Sequence, residues 1–150
     1  MIILNTILED AYEWSDGMVN EPAGFWIRFG AILLDAIIVG IPLAFVTSFI
    51  VGNVEENWLN DTVSFLYSLL LPVFWRGYTI GKYICGIKIR KVSDKGPPGI
   101  GTMLLRDVVA GLVYAITFGI GTIVSALMVA IREDKRSLHD FIAGTEVVRN

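Results

Sequence analysis

Two charged side chains, Arg28 and Asp35, stand inside the apolar run GFWIRFGAILLDAIIVGIP of residues 24–42. An isolated carboxylate in such surroundings has few options. It meets a cation, it accepts hydrogen bonds from hydroxyls or trapped water, or it takes up a proton. Each option is chemistry a transporter can use and equally a way to fix the packing of helices. Arg28 and Asp35 are seven residues apart, two helical turns, so they share one face at roughly 10 Å along the axis. Helical side chains lean toward the N-terminus. Arg28 is therefore expected to snorkel to a phosphate or an acid at the membrane surface, whereas the short Asp35 lies deeper and needs a partner. Arg106, in TMLLRDVV, is the natural cation for it, and Arg28 is the alternative.

The elements that must position these charges follow from the composition. The 150 residues are 54% hydrophobic and 18% charged, with the apolar residues gathered in long blocks, which predicts an integral membrane protein of one domain. A net charge of -3 gives no case for nucleic-acid binding. One cysteine, Cys85, and one histidine, His139, exclude an internal disulfide and a histidine-rich metal centre, and no cofactor is expected. Residues 1–23 carry five acids and no base and read as a polar or amphipathic lead-in rather than a signal peptide, with the membrane domain over 24–150.

Residues 24–51 are long enough to span a bilayer with a tilt or a kink at Pro42. A second segment is predicted over 57–75, with Trp58, Trp75 and Tyr78 as interfacial anchors. The glycine-rich loop over 76–101 holds Arg76, Lys82, Lys88, Arg90, Lys91 and Lys95 against Asp94 alone, the signature of a cytoplasmic face and a surface for anionic headgroups. Within it GIKIRKV alternates apolar and basic residues, and TEVVRN near residue 150 looks like a second short strand. Residues 87–92 and 145–149 are therefore predicted to pair as a small cytoplasmic sheet, with Ile87 and Ile89 facing the membrane segments. That pairing, and the basic tail, require an even number of passes. The apolar block over 102–131 is accordingly read as two short legs, 102–117 and 121–135, joined at Gly119–Gly121. The fold class expected is an all-α membrane protein of four transmembrane or partly re-entrant helices, with both termini cytoplasmic and residues 52–60 outside.

GYTIGK, residues 77–82, lacks the spacing of a phosphate-binding loop. Its glycines instead suit a short helix pressed against the membrane segments, with Lys82 at the headgroups. Gly111, Ala115 and Gly119, like Ala36 and Gly40, form small faces that permit close helix contact. No nucleophile–base pair or dinucleotide fingerprint is visible, so an enzyme is not expected.

AGFWIRFGAILLDAIIVGIP, GYTIGKYICGIKIRKV, LLRDVV and SLHDFIAGTEVV, in that order over about residues 22–148, resemble the RDD family of small bacterial membrane proteins. The resemblance implies a multi-pass protein of the bacterial cytoplasmic membrane. It assigns the family's arginine and two aspartates to Arg28, Asp35 and Asp140. Cation/proton exchange proposed for some members makes a cation or proton a candidate partner. On that reading Asp35 titrates, with Arg28, Arg106 and Asp140 tuning it. His139 beside Asp140 is a candidate proton relay, while an aspartate there also suits a helix cap or an arginine partner. Four thin segments enclose little space, so transport would need a homo-oligomer. The other reading is a non-transporting membrane adaptor or assembly factor whose charges are structural.

Overall fold

The computed structural model describes residues 21–52 and 58–150. Helix α1 (Phe25–Asp35), a π-helical turn (Ala36–Gly40) and α2 (Ile41–Val51) follow one another without a break. The π turn lies just ahead of Pro42. Proline has no N–H to offer the carbonyl four residues back, and its ring crowds that carbonyl. Widening the ladder, with Ile41 N–H donating to Ala36 O, absorbs the misfit without breaking the helix. Phe25–Ile50 is long and apolar enough to cross a bilayer, and among the described residues it is the one continuous helix that is.

Helix α3 (Trp58–Phe74) has 17 residues and carries Pro72 near its C-terminal end. It is followed by the one-turn α4 (Ile80–Ile84), capped by the Thr79 side chain. The glycines around α4 are required by close approach. Gly77 has φ +96°, and a Cβ there would collide with the Ile89 carbonyl; a Cβ on Gly81 would collide with the Ala31 carbonyl of α1. The expected short helix pressed on the first segment is therefore present, with Gly81 as its contact point.

The apolar block after the loop forms α5 (Ile100–Leu104), a second π turn (Leu105–Val109), α6 (Ala110–Ile116) and α7 (Ile120–Ile131). The two halves, Ile100–Ile116 and Ile120–Ile131, meet at 120°, so the block folds back on itself as two legs and counts by length and hydropathy as a second spanning unit only if the bent pair is taken together. The reversal falls at residues 117–119 rather than at Gly119–Gly121. Phe118 and Gly119 have positive φ, at 51° and 83°, while Gly121 is already helical and lies against the Tyr114 ring. Glycine at the helix start served close packing, and glycine at the turn served the left-handed conformation; the sequence shows both glycines and not which does which.

Helix α8 (Leu138–Ala143) starts in a capping box, with Ser137 and Asp140 each bonded to the other's backbone N–H, and ends at Gly144 with φ 62°. Strands β1 (Ile87–Lys91) and β2 (Thr145–Arg149) pair antiparallel, Ile87 opposite Arg149 and Lys91 opposite Thr145, within one residue of the predicted strands. Glu21–Ala23 runs along the free edge of β2, through Ala23 N to Val147 O at 2.8 Å and Arg149 N to Glu21 O at 2.9 Å, so β2 is bonded on both sides. Ile87, Ile89 and Val147 are buried with Ala31, Leu69 and Met103, which places the core where the sheet meets the helices. Far from that core the helices and the reversal carry large bare apolar side chains: Phe49 is 93% exposed and Phe118 95%.

Candidate functional site

The charges of the apolar segments collect at two carboxylates. Asp140 is fully buried and accepts hydrogen bonds from Arg28 Nη1 at 2.6 Å, from Arg106 Nη1, from the Ser137 N–H at 3.0 Å and hydroxyl at 2.8 Å, and from Thr145 Oγ1 at 3.3 Å. Arg28 also donates through Nε to Ala23 O at 2.9 Å and through Nη2 to Lys135 O at 2.6 Å. The second π turn carries Arg106, and this residue is buried with its Nη1 shared between Asp140 and Thr145. One carboxylate thus joins the first helix, the folded-back pair, the capped helix and the sheet. Burial would raise the Asp140 pKa, but Arg106 and Arg28 outweigh it and hold the group well below the usual carboxylate range. It stays an anion at every ordinary pH.

Asp35 sits in a different environment. Its Oδ1 accepts from the Tyr67 hydroxyl at 2.9 Å and from the Gly81 N–H at 2.7 Å, and its Oδ2 accepts from Thr79 Oγ1 at 2.6 Å. Tyr67 in turn accepts from Ile80 N at 3.0 Å. The carboxylate therefore caps the start of α4, where unpaired backbone N–H groups favour an anion. The expected partnership with Arg106 is not made, nor the alternative with Arg28, because both guanidiniums are engaged at Asp140. Arg28 does reach back to an acid as the lean of its side chain predicts. Helical spacing gave its direction and could not say that the acid would come from the far end of the chain.

Two further charges stand near these centres. Lys82 is half-buried, its amine 3.4 Å from Thr79 Oγ1, and no carboxylate among the described residues forms an ion pair with it. Burial and then Arg106 push its pKa down to about 8, against the pull of Asp35 and Asp107. Asp107 Oδ2 accepts from Ser68 Oγ at 3.2 Å and lines a recess of about 320 Å³ with Arg106, Tyr114 and His139. His139 Nδ1 lies 2.9 Å from the Tyr114 hydroxyl, which is also 3.0 Å from Ser125 Oγ. Burial, reinforced by Arg106, takes the His139 pKa down to about 3, so the imidazole is neutral at physiological pH. Among the described residues no three acids, histidines or cysteines converge as a metal cage would require.

Sequence reasoning thus found Arg28, Asp35, Arg106, His139 and Asp140, and the structure brings all of these but Asp35 to the Asp140 side. It missed Tyr67, Thr79, Ser137, Thr145 and Asp107. Ser137 carried a readable signal, since Ser-x-x-Asp ahead of an apolar helix is the spacing of a capping box. Tyr67 and Thr79 carried none, being ordinary residues whose role comes from where α4 lands.

The chain is 55% identical to the uncharacterized protein YckC of Bacillus subtilis (strain 168), over 130 residues covering 86% of this chain and 85% of that one. It is 32% identical to the uncharacterized protein YxaI of the same organism, over 87% of this chain and 99% of the relative. The uncharacterized membrane protein YteJ, again of that organism, is 29% identical over 87% of this chain and 83% of its own length. No solved structure matches. The RDD family matches over residues 22–144, a stretch that holds Arg28, Asp35, Arg106 and Asp140, and the chain belongs to that family.

Proposed function

We propose that this chain is a multi-pass protein of the bacterial cytoplasmic membrane that acts as a non-transporting adaptor or assembly factor, its Arg–Asp network a structural staple. The observation that carries this reading is that both oxygens of Asp140 and of Asp35 are held by protein donors, five at Asp140 and three at Asp35. A carboxylate that binds and releases a cation or proton in turn needs a path to water, and Asp35 lines none of the three recesses described. The bare apolar helix surfaces fit a bilayer, and the name of the relative YteJ as a membrane protein agrees.

In this reading α1–α2 and α3 cross the membrane and the bent pair enters as two short legs. The termini, the basic loop and the sheet face the cytoplasm, the loop against anionic headgroups. The stretch between α2 and α3, residues 53–57 of which lie outside the described residues, faces outward. Single cysteines at Asn53 and Ser93, with Cys85 replaced, label from opposite sides of intact cells on this topology; labelling from one side overturns it.

A second reading, cation- or proton-coupled transport, has one observation in its favour. Asp107 lines an open recess with a single hydroxyl donor, Ser68, so the titrating acid of a transporter would be Asp107 rather than Asp35. Proteoliposomes carrying a pH-sensitive dye and a sodium gradient decide between the two. The adaptor reading expects no flux above protein-free vesicles. Flux in the wild type that disappears in Asp107→Asn or Asp35→Asn would replace that reading with transport.

A further inference from the structure

The first leg of the long helix and α7 do not close against each other. Between them lies a recess of about 350 Å³ into which Arg28, Lys82 and Arg106 project, and no acidic residue lines it. The charge of Arg28 is met by Asp140. Arg106 is met only in part: its Nη1 is engaged, and neither its Nε nor its Nη2 donates to any group among the described residues. The amine of Lys82 has the Thr79 hydroxyl and no acid. The floor of the recess therefore presents one partly satisfied guanidinium and one ammonium side by side, an arrangement that repels itself unless an anion lies between.

The walls are of the opposite character. Phe29 and Ile32 on one side and Ala126 and Val129 on the other are apolar, and Phe29 and Ile32 are 49% and 61% exposed at the mouth. The recess is continuous with a larger one, of about 870 Å³, which shares Phe25, Thr122, Ala126 and Val129 with it and runs on between the same two helices. Apart from Glu21, Lys135 and Arg149, the larger recess is walled mainly by apolar residues, so a cationic end joins a mainly apolar groove, the negative image of an anionic amphiphile.

We propose that this cleft binds one anionic phospholipid, its phosphodiester held by Lys82 and the free nitrogens of Arg106 and its acyl chains laid along the groove between α1 and α7. Charge complementarity selects this occupant over a second copy of the chain, because an apolar helix from a neighbour would cover the groove and leave Lys82 and Arg106 unanswered. The volume of the smaller recess falls within the ~300–1,000 Å³ of small-molecule sites. The amine is faced by Arg106, Arg28, Asp35 and Asp107, and it is mostly protonated at neutral pH. The assignment stands whether or not the chain transports anything, and the flux experiment above does not bear on it.

The test is lipid binding by the delipidated full-length chain in neutral detergent, read by native mass spectrometry with dioleoylphosphatidylglycerol and dioleoylphosphatidylcholine. One phosphatidylglycerol per chain is expected, with about tenfold preference over phosphatidylcholine, and Lys82→Gln removes most of that preference. Ala126→Trp, which fills the groove without touching the charges, lowers retention of both lipids. Unchanged thermal unfolding of each variant in lipid-free detergent shows that the loss is not misfolding. Equal retention of the two lipids by the wild type, or phosphatidylglycerol binding untouched in both variants, overturns the proposal. So does displacement of the lipid by millimolar inorganic phosphate, which would mark a site for free anions. Efficient cross-linking of Ala126→Cys between two chains in lipid-free detergent would assign the groove to a second copy and overturn it equally.

Discussion

Asp140 is a buried carboxylate and Asp35 a half-buried one, and the two are stabilised by different physics. Asp140 is neutralised by two guanidiniums, so its energy is coulombic and depends on all three ions being present. Asp35 is solvated by a tyrosine, a threonine and a backbone N–H, so its energy is that of hydrogen bonds and a helix terminus, with no formal countercharge in contact. The difference teaches that an acid in an apolar helix does not announce a cation. A pair of guanidiniums leaves a charge behind when the acid is removed; a ring of neutral donors loses only hydrogen bonds.

The largest effect that separates the two is therefore expected at Asp140. Asp140→Asn leaves Arg28 and Arg106 facing each other across a neutral amide, and the loss of stability should be roughly 3–5 kcal/mol, read as a lowered unfolding midpoint in mild detergent. Adding Arg106→Leu to Asp140→Asn should return part of that loss, since one of the stranded cations goes with the acid. A double variant as unstable as the sum of the single ones would show that the salt bridge is not the staple.

Asp35→Asn is expected to cost less, about 1–3 kcal/mol, because an amide keeps one acceptor oxygen for the Tyr67, Thr79 and Gly81 donors. Combined with Arg106→Leu, it should be additive within about 0.5 kcal/mol, as the two side chains share no partner. Strong coupling would return Arg106 to Asp35 and undo the contrast.

Arg28, Asp35 and Arg106 were legible in the sequence because a charge in an apolar run is visible without any fold, and Asp140 was legible only through the family resemblance. The small sheet was legible too, since GIKIRKV alternates with period two and TEVVRN carries β-branched residues suited to a strand. The pairing of the charges was not. Helical spacing relates residues on one helix, whereas Asp140 meets Arg28 and Arg106 only because α8 is seated against the bent pair. The first π turn had a visible cause in Pro42. The second, which carries Arg106, has no proline and no sequence signal, and without it the face that Arg106 occupies could not be read. The displaced reversal at residues 117–119 is a similar case: Phe118 takes a left-handed conformation that residue preferences would not assign to a phenylalanine.

The smallest separating effect, per unit of the variable changed, lies in pH. His139 beside the Asp140 centre is neutral in the folded protein, with its pKa lowered to about 3 from the ordinary 6.5. As pH falls below the ordinary value the unfolded chain binds a proton that the folded chain refuses. Stability should thus decline by about 1.4 kcal/mol per pH unit between those two limits. Asp140 works in the same sense at lower pH: its pKa is lowered too, so its contribution is whole above the ordinary carboxylate range and declines only as pH falls below it. His139→Asn should flatten the slope between pH 6 and 4, taken as about two units of the window. An unchanged slope would mean that a group other than this imidazole sets it.

The order in which the staple's parts are made has a consequence of its own. Arg28 is followed by Asp140 only 112 residues later, and Arg106 only 34 residues later. A ribosome therefore delivers both cations well before the anion that satisfies them, and β2, which is bonded on both edges, arrives later still. Until then the nascent helices hold two bare guanidiniums and an unfilled sheet edge, and they cannot settle into their final packing. Residues 137–149 are therefore the latch that lets the earlier helices settle.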